Sequence, residues 1–519
     1  MLNLATLLES STRERPHHIA VIYNEIRLSY AAVNAAANQV ANGLVGLGIQ
    51  PGDKVALSCL NLPYFPIVYY GILKTGAVVV PLNVLLKPRE IAYHLSDSDA
   101  KAYFCFEGTK QLPMGETGWD SFQKTDTCEH FILMQRDPDG PSSIANTKTL
   151  RDLTGNQPST FQTVSTDAND TAVILYTSGT TGKPKGAELS HVNMVLNARL
   201  SDTMYKAHVD DVHLVVLPLF HSFAQSLQMN AGFYNCATIS LTPRFDPDEA
   251  LKIMQRDNVT FFQGVPTMYV ALLNYPEADK YDLKKIADTL RYCLCGGSAM
   301  PVEAMKAFEK RFKVKIYEGY GLTETSPAAS STFSLNYRKY KPGSIGVPVW
   351  GVEIRIVDEK DNDVPLEKPG EIVIRGHNVM KGYYKNPLAT KEAFRNGWFH
   401  TGDIGRFDED GYIYIIDRVK DIIIRGGFNV YSREIEEVLL LHPGVALAAV
   451  IGVAHEKYGE EIKAFIVKKE GAKTTEEEIK SWAKGNMAAY KYPRHIEFRD
   501  TLPMSATGKI LKKDLRNWK

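Results

Sequence analysis

Ala172-Val173-Ile174-Leu175-Tyr176-Thr177-Ser178-Gly179-Thr180-Thr181-Gly182-Lys183-Pro184-Lys185-Gly186 is the stretch on which the reading of this chain turns. Residues 172–175 are apolar and predict a buried strand. The loop after them carries four Ser/Thr hydroxyls, three glycines and two lysines. Glycines let backbone N–H groups turn toward phosphate oxygens with no Cβ in the way, and hydroxyl and ammonium groups complete a cradle for a flexible polyanion. A Walker loop needs four residues between its glycines and a Ser or Thr after its lysine. Here two residues separate Gly179 from Gly182, and Pro184 follows Lys183, which disfavours a P-loop ATPase. A plain Gly/Ser/Thr linker would not need paired lysines behind an apolar strand.

Outward from this loop, strand-like runs alternate with helix-period segments through the first two-thirds of the chain, the pattern of an α/β protein with largely parallel sheets. Residues 19–23 and 26–30 predict a hairpin across Asn24-Glu25, residues 31–47 a helix stopped by Gly48, and 54–58 the next strand. Asp246-Pro247 starts a helix to about residue 256, a strand follows at 259–263, and Pro301 opens a helix after a strand at 291–295. From 344 to 416 the texture changes to short strands with Gly-, Pro- and Asp-rich turns, which predicts a β-rich subdomain. Beyond Asp417-Arg418 the periods resume on a smaller scale, with a capping box at Thr475 and Glu478. That last segment has the size of a small separate domain. Lys512, Lys513 and Arg516 near its end read as solvated.

At 519 residues the chain exceeds the ~250–300 at which single cores stop growing, so at least two domains are expected. Lys+Arg and Asp+Glu both number 60, so no global basic field would hold a nucleic acid. The six cysteines are dispersed, without C-x-x-C or metal-ligand spacing, and favour a reducing, cytoplasmic setting. The start, Met1-Leu2-Asn3-Leu4-Ala5, lacks the features of a secretory signal. The apolar stretch 64–86 is interrupted by Lys74-Thr75-Gly76 and Pro81, so it reads as a buried helix and strand and not as a membrane span.

Four further motifs follow the loop in order: Tyr320-Gly321-Leu322-Thr323-Glu324, Gly397-Trp398-Phe399-His400-Thr401-Gly402-Asp403, Asp417-Arg418 and Gly508-Lys509. With the loop, they make nearly the whole chain resemble the adenylate-forming superfamily of acyl-CoA synthetases, luciferases and peptide-synthetase adenylation domains. It looks most like bacterial medium- to long-chain fatty acyl-CoA synthetases. The resemblance implies an AMP-binding domain over 1–417, a hinge at 418–421 and a small mobile α+β lid domain over 422–519. It also implies ATP and CoA as co-substrates, Mg²⁺, and conversion of a fatty acid to acyl-CoA through acyl-AMP.

Residue by residue, the resemblance puts the triphosphate on Thr177, Ser178, Gly179, Thr180, Thr181, Gly182, Lys183 and Lys185. Tyr320, flanked by Gly319 and Gly321, would stack on adenine, which its flat ring suits. Thr323 would touch the α-phosphate, and Glu324 would hold Mg²⁺, as a hard oxygen ligand can. Asp403 would bind the ribose hydroxyls and Arg418 the ribose or phosphate. Gly297, Ser298, Glu318 and Ile415 are further implied nucleotide contacts. Lys509 would bridge the attacking carboxylate and the α-phosphate, Lys420 would serve as the hinge, and Gly426 and Gly427 would line the pantetheine path. His221 would stand as the wall between the acid and thiol sites. Amino-acid-activating relatives carry an Asp in that neighbourhood; Phe220-His221 offers no anion, which favours a fatty or aromatic acid. The acyl pocket would draw on 220–225, 264–267, Gly296-Gly297 and the segment from Tyr320 onward. Gln225 stands where one long-chain relative has a gating tryptophan, and this leaves chain length open. An aromatic acid, a carrier-protein thiol as acceptor, and a catalytically silent acyl-adenylate-binding protein are the alternatives. A homodimer and peripheral membrane contact are compatible with these readings. The absence of a G-x-S-x-G elbow argues against a serine hydrolase.

Overall fold

The computed structural model describes residues 2–177, 183–333 and 339–518, and the architecture below is that of those residues. Ser178, Gly179, Thr180, Thr181 and Gly182, expected in the phosphate cradle, lie outside them. An eight-stranded sheet runs Gly382–Tyr383, Lys185–Ser190, Thr171–Thr177, Val78–Pro81, Lys54–Ser58, Ala100–Phe106, His130–Met134, Lys148–Thr149. Its pairs are parallel from Thr171–Thr177 onward and antiparallel at the Lys185–Ser190 end. A nine-stranded sheet runs Val347–Pro348, Ala328–Ser331, Ile316–Gly321, Tyr292–Cys295, Phe261–Gly264, Val212–Val215, Thr238–Leu241, Ile19–Tyr23, Ile26–Ser29, again parallel in its middle. Central parallel strands covered on both faces need continuous apolar runs. Val78–Pro81 is such a run, buried at every position.

Local signals set the helix ends. Asp246 Oδ1 accepts from the N–H groups of Asp248 (3.0 Å) and Glu249 (3.1 Å), starting helix Pro247–Asp257. Thr475 Oγ1 accepts from Glu478 N–H at 3.2 Å, and Glu478 Oε2 accepts from Thr475 N–H at 2.8 Å, a complete capping box. The apolar stretch 64–86 becomes helix Tyr64–Lys74 and strand Val78–Pro81. No described helix is long and apolar enough to cross a membrane. The strand expected at 259–263 begins two residues later, at Phe261, because Val259 N–H still closes the preceding helix on Met254 O (3.2 Å).

Five of the short strands after residue 344 form one antiparallel sheet: Val352–Val357, Gly370–Gly376, Phe394–Arg395, Trp398–Phe407 and Ile413–Arg418. Val347–Pro348 and Gly382–Tyr383 instead join the two large sheets, and Ile354, Ile374, Phe399 and Ile413 share the main core. The β-rich part is therefore fused to the α/β body. After Arg418 a second five-stranded sheet, with Ile435, Leu439, Val450, Ile462 and Ile479 among its packed residues, has a core of its own.

Two of the lysines and arginines expected to be solvated are engaged at the seam between these bodies. Lys512 Nζ donates to Ser432 Oγ at 2.6 Å and pairs with Glu436 at 2.7 Å, and Arg516 pairs with Asp421 at 2.7 Å. Burial pushes the Glu436 carboxyl up, and the Lys512 ammonium beside it acts in the opposite direction. Lys513 is exposed, as expected.

Candidate active site

The Gly-rich loop joins two antiparallel strands, with Thr177 opposite Lys185. It is a hairpin loop, whereas a P-loop leads from a strand into a helix. Both ends are fixed by tyrosines. Tyr176 OH donates to Asp97 Oδ2 at 2.7 Å, and Tyr93 OH donates to Pro184 O at 2.9 Å. Lys185 Nζ lies 5.2 Å over the Tyr383 ring, a cation–π contact. Lys183 is exposed at the loop's end.

Strand Ile316–Gly321 ends beside the loop in the turn Thr323–Thr325. A Cβ on Gly321 would lie 1.7 Å from Pro327 O, so only glycine lets the chain turn here. Glu324 is buried, and its Oε1 accepts from Thr177 Oγ1 at 3.2 Å and from Tyr383 OH at 2.9 Å. Thr323, partly exposed, precedes it in the same turn. Among the described residues no group of three or more His, Cys, Asp or Glu side chains could hold a metal. A cation at Glu324 would therefore need phosphate oxygens as further ligands. Glu318 faces elsewhere: its carboxylate accepts from Met300 N–H (3.3 Å) and Gly343 N–H (3.0 Å), and burial raises it to about 7.

Tyr320 OH donates to Asp403 Oδ2 at 2.7 Å, and Arg418 Nε donates to Oδ1 at 2.8 Å. The sheet sets this pair, since Asp403 and Arg418 are opposite each other on adjacent antiparallel strands. Burial, then the charge of Asp403, holds the Tyr320 phenol well above its ordinary range, so it remains a donor.

From the C-terminal body the turn at 505–509 reaches into this cluster. Gly508 N–H donates to Ser505 O at 2.9 Å, Gly508 has φ +77°, and Thr267 Oγ1 donates to Gly508 O at 3.5 Å. Burial first, then Arg418, lowers the Lys509 ammonium to about 8; Lys420 acts in the same direction, against Asp403 and Asp421. Burial, then the charge of Lys509, lowers His221 to about 4, so its imidazole is neutral at physiological pH. His221 Nδ1 accepts from Phe223 N–H at 3.3 Å, which leaves the proton on Nε2. A Cβ on Gly296 would stand 3.1 Å from the Phe223 ring and from Gly319 O, so these segments meet across one narrow space.

The structure thus gathers Thr177, Lys185 and Glu324 at one end and Tyr320, Asp403, Arg418, Lys509 and His221 at the other. Gly297 and Ser298 are exposed on the loop after strand Tyr292–Cys295. Ile415 lies at the seam, where its carbonyl accepts from Arg433 at 2.8 Å. There too Asp417 Oδ2 accepts from Ser432 N–H (2.5 Å) and Oγ (2.9 Å). Lys420 is exposed in the connecting turn Val419–Asp421. Gly426 and Gly427 sit at an exposed hairpin turn with φ +58° and +82°, and no described contact joins them to the cluster. Tyr383 and Tyr93 escaped the sequence reading, whereas Phe223 falls within the expected acyl-pocket segment 220–225. Only the run Lys381-Gly382-Tyr383-Tyr384 could have drawn attention to the first of them.

Residues 8–384 match the sequence model of the AMP-binding enzyme family, and residues 434–509 that of the AMP-binding enzyme C-terminal domain. The chain is 36% identical to a long-chain-fatty-acid–CoA ligase of Bacillus subtilis, over 99% of this chain and 94% of the relative. It is 34% identical to a feruloyl-CoA synthase of an Amycolatopsis species, over 97% and 96%. The solved structure of ATP-bound MatB from Rhodopseudomonas palustris is similar with a TM-score of 0.90 at 32% identity, over 100% of this chain and 99% of that one.

Proposed function

We propose, for a chain that belongs to the AMP-binding enzyme family and is an adenylate-forming acyl- or aryl-CoA ligase, that its acid is a fatty acid of medium to long chain. The observation that carries this reading is the wall at 218–225. A neutral His221 stands there with Phe220 and Phe223, and the segment holds no carboxylate to meet an ammonium or other cationic substrate group. The resemblance to the Bacillus subtilis ligase supports it.

In the proposed first half-reaction the carboxylate attacks the α-phosphorus of ATP in line, and pyrophosphate departs into the loop from Thr177 to Lys185. Tyr320 stacks on adenine. Asp403 accepts the ribose hydroxyls; each of its oxygens already holds one donor and keeps a second lone pair for another. Thr323 and Lys509 meet the α-phosphate, and Lys509 also meets the attacking carboxylate. Two anions must approach, so positioning and charge neutralisation provide the acceleration. Glu324 suits Mg²⁺ as a buried, hard oxygen ligand, and the ion would neutralise phosphate charge there. In the second half-reaction the CoA thiol attacks the acyl carbonyl, the C–O bond to phosphate breaks, and AMP leaves. Lys509 must withdraw first. The lid, residues 422–519, would turn at Lys420 and present Gly426 and Gly427 along the pantetheine path.

An aromatic acid is the second reading, because the uncharged wall of Phe220, His221 and Phe223 would suit a flat ring as well as an alkyl chain, and the Amycolatopsis relative is a feruloyl-CoA synthase. AMP release from a panel of acids with CoA separates the two. Medium- to long-chain fatty acids should give the highest kcat/KM. A higher value for ferulate or benzoate would replace the proposed substrate, and no AMP with any acid would defeat the activity itself.

A further inference from the structure

Tyr383 lies outside every motif discussed above, on the two-residue strand Gly382–Tyr383. That strand sets Tyr383 opposite Ala187, on the strand leaving the phosphate loop, and Tyr384 N–H donates to Gly186 O at 2.8 Å. On the other side Met380 N–H donates to Glu324 O at 2.9 Å. Residues 380–384 therefore tie the loop's outgoing strand to the turn that bears Glu324. At the junction the Tyr383 hydroxyl donates to Glu324 Oε1 at 2.9 Å, and Thr177 donates to the same oxygen at 3.2 Å.

Two neutral donors on one oxygen leave the carboxylate's charge without a counter-charge. Glu324 is 9% exposed, none of the described ion pairs includes it, and no described residue donates to Oε2. A buried carboxylate in that condition is unfavourable until a cation reaches it. Hydroxyls gripping one oxygen fix the rotation of the group and aim the other oxygen, and outer-shell donors of this kind tune metal affinity.

We infer that Tyr383 is a positioning residue whose hydroxyl, together with that of Thr177, holds the Glu324 carboxylate so that Oε2 faces a divalent cation on the bound triphosphate. The inference rests on the adenylation site proposed above. Tyr383→Phe keeps the ring beneath Lys185 and removes only the hydroxyl. The probe is Mn²⁺ added to the full chain with α,β-methylene-ATP, the free ion being counted by electron paramagnetic resonance. Tyr383→Phe should bind Mn²⁺ about 10-fold more weakly than the wild type. Its affinity for the nucleotide in EDTA and its rate of CoA transfer from supplied acyl-AMP should stay unchanged. Thr177→Val should weaken Mn²⁺ in the same direction. Wild-type Mn²⁺ affinity in Tyr383→Phe overturns the inference, and so does an equal fall of nucleotide affinity with and without metal, which would mark a packing role. A wild-type protein that binds neither nucleotide nor Mn²⁺ overturns the adenylation reading and this inference with it.

Discussion

Lys509→Ala removes the ammonium that the C-terminal body brings to the Asp403–Arg418 pair, and its effect should fall unequally on the two half-reactions. The lysine is lowered to about 8 but remains mainly protonated at neutral pH. At ~4 Å and an effective dielectric of ~20, one ammonium–anion pair is worth about 4 kcal/mol. Arg418 stays in place and water enters the vacated space, so roughly 3 kcal/mol of transition-state stabilisation is lost, a slowing of at least ~10²-fold. Pyrophosphate release in a single turnover without CoA measures the first half, and acyl-CoA formation from supplied acyl-AMP measures the second. The second joins a thiol to a reactive carbonyl without forcing two anions together, so it should be comparatively intact. Equal losses in both halves would refute the assignment of Lys509 to the first step.

The pH profile tests the same residue from another side. The charged form of Lys509 is the active one, so kcat/KM for adenylation should fall with unit slope as pH rises through about 8. Lys509→Arg should lose that limb, because guanidinium keeps its proton. Glu9→Gln strands the Lys74 ammonium, 1% exposed and 2.5 Å from Glu9 Oε1, and should lower unfolding free energy by about 3 kcal/mol in urea titrations. Burial lowers the folded-state pKa of Lys74 below its unfolded value, so between the two the unfolded chain binds more protons, and the unfolding free energy should rise with pH through that window. Gly321→Ala would put a Cβ 1.7 Å from Pro327 O, and a fall in Tm equivalent to about 2 kcal/mol or more is expected.

The features legible in the sequence are those written locally. The apolar run before the Gly-rich loop, the Asp246 cap and the Thr475–Glu478 box each act within a few residues, and each stands in the structure where its spacing puts it. Tyr383 meets Glu324 from 59 residues away, through a strand too short to show any period. Lys512 reaches Ser432 across 80 residues, so its chemistry looks like that of any basic helix end until the C-terminal body is folded. Strand order escaped for the same reason: a parallel pair such as Val79 and Val173 is made by a crossover that leaves no mark on either strand.

A crystal structure with bound ATP probes the whole account at its root. The account requires the triphosphate within the hairpin loop between Thr177 and Lys185, the ribose on Asp403 and the α-phosphate facing Lys509. ATP lodged at any other place on the molecule would contradict it.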